Sequence, residues 1–103
     1  MAREASLVQM ECDYVAVDVA NNSTTVYSGP CIYYGCVVTT ALSAHALPIL
    51  DGSTTIDSFA ASSAVGTYHG FNHGVRCSTS LIVDPNDAGT GNVTVFYRPI
   101  NPT

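Results

Sequence analysis

The sequence predicts an all-β chain folded as one antiparallel β-sandwich of about seven or eight strands, with jelly-roll and immunoglobulin-like strand orders both open. Three observations lead there. Apolar and polar residues alternate along most of the chain, the two-residue period of a half-buried strand. Clusters of Gly, Pro, Asn, Asp and Ser recur roughly every ten residues, the turn spacing of sandwiches and small barrels. The 103 residues are enough for one β core and too few for two.

The elements follow in order. "DYVAVDVA" (13–20) sets Val15, Val17 and Val19 on one face, and "NNSTT" then turns the chain. "TVYS" is a short strand, punctuated by "SGP". "CIYYGCVVTT" (31–40) is the longest β-rich run, and Gly35 at its centre marks a bulge or a close backbone approach. "LPIL" (47–50) contains Pro48, which lacks an N–H and so predicts an edge strand. Asp51-Gly52 is a tight-turn signal, with "STTIDSF" as the next strand. "AASSAVGTYHGFNHG" (60–74) breaks the alternation and predicts a surface loop with a helical turn near Ala60–Ala64. "VRCSTSLIVD" (75–84) and "VTVFYRP" (93–99) are expected to pair as a hairpin across "PNDAGTGN". The organisation is an N-terminal arm or first edge segment (1–12), the sandwich (13–99) and a tail (100–103).

Composition narrows function. The chain is 47% hydrophobic and only 11% charged, far from a disordered composition. It has no Lys, and its cations are Arg3, Arg76 and Arg98 against eight acidic residues, for a net charge of −5. Three scattered arginines make no counterion-displacing patch, so neither nucleic acid nor an anionic membrane is an expected partner. Uncharged Ser, Thr, Asn, Gly and Tyr in place of a charged surface suit permanent contact with other protein chains. "MAREASLVQMEC" has no apolar core of a secretory signal, and no run approaches a membrane span. Assembly in a cytoplasm is therefore expected, with Cys12, Cys31, Cys36 and Cys77 reduced.

The candidate chemistry is sparse. In "TYHGFNHGVRC", His69, His73 and Cys77 fall four residues apart, which would line one face of a helix as zinc ligands. Gly70 and Gly74 interrupt any helix, and no fourth ligand is placed, so the segment is expected to be a loop whose histidines bond locally or face a subunit neighbour. Cys31 and Cys36 are five apart and point to opposite faces of a regular strand unless Gly35 bulges. Small buried hydrophobes is the better account of most of the cysteines. "DPNDAGTGN" fails a calcium loop, because Ala88 and Val95 stand where oxygen ligands belong. No serine sits with a placeable His and Asp. The expectation is a protein without catalytic residues, metal or cofactor.

"YSGPCIYYGCVVTT", "ALPILDG", "HGVRCSTSLIVD" and "GTGNVTVFYRP", in that order over residues 27–98, resemble a group of small structural proteins of tailed bacteriophages. The resemblance implies a β-sandwich virion protein, foremost a capsid decoration (cement) protein on the head surface. Such a protein stabilises the head by bridging capsomers of the major capsid protein. A homotrimer is the expected state, since it suits local threefold positions. The contact candidates are Tyr68, Phe71 and the tail residue Ile100, with Leu7, Val8 and Met10 of the N-terminal arm. A neck or tail component is the alternative, set apart by copy number per virion. From another class come a small metal-binding domain and a carbohydrate-binding domain. The latter needs aromatic side chains clustered in a groove, for which Tyr33, Tyr34 and Tyr97 are the sequence's candidates.

Overall fold

Eight strands form in a computed structural model that describes residues 12–20, 23–85 and 89–100. They are β1 (Asp13–Asp18), β2 (Thr24–Ser28), β3 (Cys31–Thr40), β4 (Leu47–Asp51), β5 (Thr54–Phe59), β6 (Tyr68–Cys77), β7 (Ser80–Val83) and β8 (Asn92–Pro99). Among the described residues there is no helix. Two antiparallel sheets of four hold all eight, in the orders β1-β8-β3-β6 and β2-β7-β4-β5. The fold is thus the expected β-sandwich, and its strand order decides between the two alternatives. Only β4 and β5 are sequence neighbours that pair; each of the other connections crosses from one sheet to the other. Strand β1 pairs β8, β2 pairs β7, β3 pairs β6 and β4 pairs β5, the pattern of a long hairpin rolled up as a jelly roll. An immunoglobulin-like order would instead pair consecutive strands in three places and not one.

Alternation builds the core. Val17 and Val19 from β1 and its extension meet Val93 and Val95 of β8, Cys31, Tyr33, Cys36 and Val38 of β3, and Cys77 of β6. The opposing sheet supplies Leu47, Ile49, Phe59, Leu81 and Val83. No polar or charged residue is fully buried among the described residues, so the interior is stabilised by apolar burial, about 1.5–3 kcal/mol for each large side chain. Cys31 and Cys36 both point inward although five residues separate them. The register of β3 shifts between Tyr33 and Gly35 against both neighbouring strands, so the bulge exchanges the phase of the strand's two halves. Gly35 sits at φ 149°, and a Cβ there would run into the carbonyl oxygen of His69.

Three expectations are corrected. Residues 75–84 are not one strand paired with 93–98. The run breaks at Ser78-Thr79, where the chain crosses sheets, and β8 pairs with β1 and β3 instead. The alternation misled because its phase carries through the crossing: Val75 and Cys77 face the core from one sheet, Leu81 and Val83 from the other. Asp51 fixes the break, its carboxylate accepting the N–H groups of Ser78 (3.1 Å), Thr79 (3.0 Å) and Ser80 (3.3 Å). Pro48 lies in an interior strand, since β4 is flanked by β5 and β7. It is tolerated because the ladder to β7 ends there: Pro48 only accepts, from the N–H of Asp84 at 3.1 Å. Finally, the 60–74 loop shortens to residues 60–67, and Tyr68–Gly74 belong to β6. No helical turn forms at Ala60–Ala64, where Ser62 takes φ 61° and pairs its N–H with the carbonyl of Ser43.

Candidate functional site

The outer face of the β1-β8-β3-β6 sheet gathers aromatic side chains. With Val15, Val17, Val93, Val95 and Tyr97 turned to the core, alternation sends Tyr14 and Phe96 outward, and the register sets these two directly opposite each other. Tyr33 faces inward, so its neighbour Tyr34 faces outward, and Tyr68 stands beside them on β6. Tyr34, Tyr68, Gly70, Phe71, Asn72, Phe96 and Cys12 line an open groove of about 370 Å³. Tyr14 at the β1 end is 73% exposed and Tyr68 59%, well beyond what a sheet face needs to leave in water.

One wall of the groove comes from an irregularity in β6. Gly70 lies opposite Gly35 and Val75 opposite Tyr33, so Phe71, Asn72, His73 and Gly74 form an excursion against the single residue Tyr34 of β3. A Cβ on Gly74, which takes φ 75°, would strike Ile32 and meet Tyr34, so its backbone rests directly on those side chains. The Tyr68 ring lies across Gly70. Phe71 lines the groove at the sheet edge and also packs on Tyr33, with ring centroids 5.7 Å apart.

The histidines and cysteines do other work. His69 turns toward the interior, where its Nδ1 stands 2.9 and 3.1 Å from the two carboxylate oxygens of Asp57. A carboxylate only accepts, so Nδ1 carries the proton. The Tyr33 hydroxyl donates to Asp57 Oδ2 at 2.8 Å, and the His69 ring stacks on Phe59 at 3.9 Å. Asp57 lies on β5 and His69 on β6, edge strands of opposite sheets, so this network fastens one open side of the sandwich. Burial, with the Cys36 thiol and the Asp57 charge nearby, pushes the Tyr33 hydroxyl well above its ordinary range and keeps it a donor. His73 is exposed in the excursion, and Cys77 is buried opposite Cys31. The three residues of "HGFNHGVRC" are therefore not brought together, and among the described residues no three metal-ligating side chains cluster. Desolvation pushes the Cys36 and Cys77 thiols up to about 12 and raises Cys31 as well. They are protonated at neutral pH and act as small core hydrophobes.

Of the residues anticipated as contacts, Tyr68 and Phe71 meet in the groove. Ile100 does not join them: its N–H donates to the carbonyl of Pro30 beyond the far end of β3, whereas Tyr68 lies opposite Val37. That is about 20 Å along the strand. Leu7, Val8 and Met10 lie outside the described residues. Of the three tyrosines considered for an aromatic groove, only Tyr34 lines one; Tyr33 is fully buried and Tyr97 packs against the core. Tyr14 and Phe96 were missed, although each sits out of phase with its strand's valines, which is a signal alternation carries. No protein-family model, curated protein or solved structure matches the chain.

Proposed function

We propose that the chain is a virion structural protein, a cement subunit on the outer surface of a tailed-phage head that bridges capsomers of the major capsid protein as a homotrimer. The observation that carries this reading is the aromatic outer face of the β1-β8-β3-β6 sheet, exposed at Tyr14 and Tyr68 in a chain with few charges. Tyrosine-rich, Lys-free surfaces are the composition of interface cores and their dominant contacts. The jelly-roll order adds analogy, since capsid domains use it, as do lectins. The raised thiols, and a His69–Asp57 pair whose imidazole is stacked on Phe59 with no described serine or threonine hydroxyl bonded to it, support binding over catalysis. Such a subunit would assemble in the host cytoplasm and act at the virion surface. A trimer multiplies modest contacts by avidity, and binding only the expanded shell stabilises that state by mass action.

The test is co-sedimentation with expanded, cement-free shells of the encoding phage, together with native mass spectrometry. Binding at hundreds of copies per head and a trimer mass are the expected results. About a dozen copies located at a vertex would make the chain a neck component. A stable monomer that leaves shells bare would end the proposal. The groove itself favours one second reading, a carbohydrate-binding domain, because it clusters the aromatic rings that reading requires. Binding to a glycan array with shells left bare would establish it.

A further inference from the structure

The chain has three arginines, and two of them stand on the aromatic face. Cys77 and Tyr97 turn inward, so their neighbours Arg76 and Arg98 turn outward, and both are exposed. The register places each opposite Ile32, one on β6 and one on β8. Their backbones are therefore two strand spacings apart, about 10 Å. Ile32 and Tyr34 share the outer face and both lie under Gly74, so the arginine row adjoins the groove. Among the described residues neither arginine makes an ion pair; the one such contact joins His69 and Asp57. Asp51 and Asp57 lie on the other sheet, with Asp84 just beyond β7. Asp18 is at the far end of β1, where it accepts the N–H of Ala20, and Asp13 stands beside Tyr97.

Resting on the assembly reading above, we infer that this face docks an acidic protein segment, its carboxylates meeting Arg76 and Arg98 and its apolar side chains entering the aromatic groove. Charge decides the class of partner. In a chain of net charge −5, this row is where an anion meets unopposed cations among the described residues, so the same segment is repelled elsewhere and is oriented on arrival. Guanidinium groups bind carboxylates through two parallel N–H bonds, which sets direction as well as attraction. Tyr14, Tyr34, Tyr68 and Phe96 supply rigid apolar area beside that row, the pairing of aromatic and Arg that dominates protein interfaces. Asn72 is the one side-chain amide lining the groove, few polar groups for orienting a hydroxyl-rich saccharide.

The test uses the full chain labelled with ¹⁵N and two synthetic twelve-residue peptides. One has Asp and Glu flanking a central Phe-Leu; the other replaces every acid by Asn or Gln. Hyaluronate, a uronic-acid polymer, is the third probe. The acidic peptide is expected to shift the amides of Tyr14, Tyr34, Tyr68, Arg76, Phe96 and Arg98 and to bind about fivefold more tightly than its neutral counterpart. The double variant Arg76→Gln/Arg98→Gln should erase that difference while its spectrum stays folded, and Arg76→Lys/Arg98→Lys should restore part of it. Equal binding of the two peptides, or shifts on another face, overturns the inference. So do the same amide shifts with hyaluronate and not with peptide, which would assign the face to an acidic saccharide. Shell binding separates the two levels. Wild type failing to bind shells defeats the assembly reading and leaves the peptide result to stand. Shells binding wild type and the glutamine variant equally defeats the acidic partner alone.

Discussion

The two sheets cover their outer faces in different ways. On the β2-β7-β4-β5 sheet one row across the strands reads Thr25, Ile82, Leu50, Thr55, and Ile82 and Leu50 are half-buried between the threonines. Small β-branched and aliphatic side chains there satisfy the sheet and leave little apolar surface in water. On the β1-β8-β3-β6 sheet the outer face carries the paired Tyr14 and Phe96, with Tyr34, Tyr68, Arg98 and Arg76 around them. One sheet pairs fully with no aromatic in that outward row, so strand pairing by itself does not call for the aromatics of the other. On the proposed function, the difference assigns stability and recognition to separate faces. That separation can be broken by mutation.

The largest expected effect lies beneath the aromatic face, at the bulge that sets its phase. Gly35→Ala adds a Cβ against the His69 carbonyl at a positive φ, and the obstacle is backbone that cannot rotate away. A loss of about 3 kcal/mol in urea unfolding is expected, together with loss of Tyr34 from the groove as β3 slips. Next comes Asp57→Ala, which leaves the buried Tyr33 hydroxyl without its acceptor and unfastens β5 from β6. It should cost about 2–3 kcal/mol, and Asp57→Asn, which keeps an acceptor, less than half of that. If both substitutions were neutral, the aromatic face would not depend on the edge network beneath it.

Much of this was legible in the sequence, and the losses have physical reasons. Alternation placed Val15, Val17 and Val19, and parity put one of Tyr33 and Tyr34 in the core. Gly35 announced the bulge because few other residues reach its backbone conformation. Strand order was not legible, because each strand's pattern says which face is buried and nothing about which strand lies beside it. The crossing at Ser78-Thr79 was hidden for the same reason: two residues preserve the period of two, and the signal that breaks the strand is Asp51, distant in sequence. The 68–74 segment read as a loop because Gly70 and Gly74 look like punctuation. In the fold they are where the Tyr68 ring and the excursion lie close. The groove itself joins three strands and the residue just before β1, so only register could assemble it.

Intermediate effects come from the second sheet. Leu50→Ser or Ile82→Ser should each cost about 1–1.5 kcal/mol, in keeping with half-burial, and leave docking to shells unchanged. Asp51→Ala should cost about 1 kcal/mol, because three backbone N–H groups at the crossing lose a charged acceptor but remain near water. The hydrogen bond from the Thr79 N–H leads the contacts that hold the Asp51 carboxyl below its ordinary value. A depressed carboxylate contributes stability that is present above the unfolded value of about 3.9 and is lost as pH falls through the lower folded value. The acid limb of unfolding below about pH 4 should therefore be shallower in Asp51→Ala than in wild type. Parallel limbs would show that the carboxylate does not hold the crossing.

The smallest stability effect is expected where the proposed function is greatest. Tyr14→Ser and Tyr68→Ser remove rings that are mostly in water already, so each should shift unfolding by no more than about 0.5 kcal/mol. The same substitutions should weaken docking to shells at least tenfold, as truncation of an aromatic anchor does at a protein interface. Together with Leu50→Ser and Ile82→Ser they form a crossed design: one face loses stability and keeps docking, the other keeps stability and loses docking. Were the tyrosines to destabilise the fold as much as the aliphatics do, their rings would be packing groups, and the contrast between the faces would be one of size alone. Were they neutral in both assays, the aromatic face would be a surface without a partner, and docking would have to be sought on the β2-β7-β4-β5 sheet.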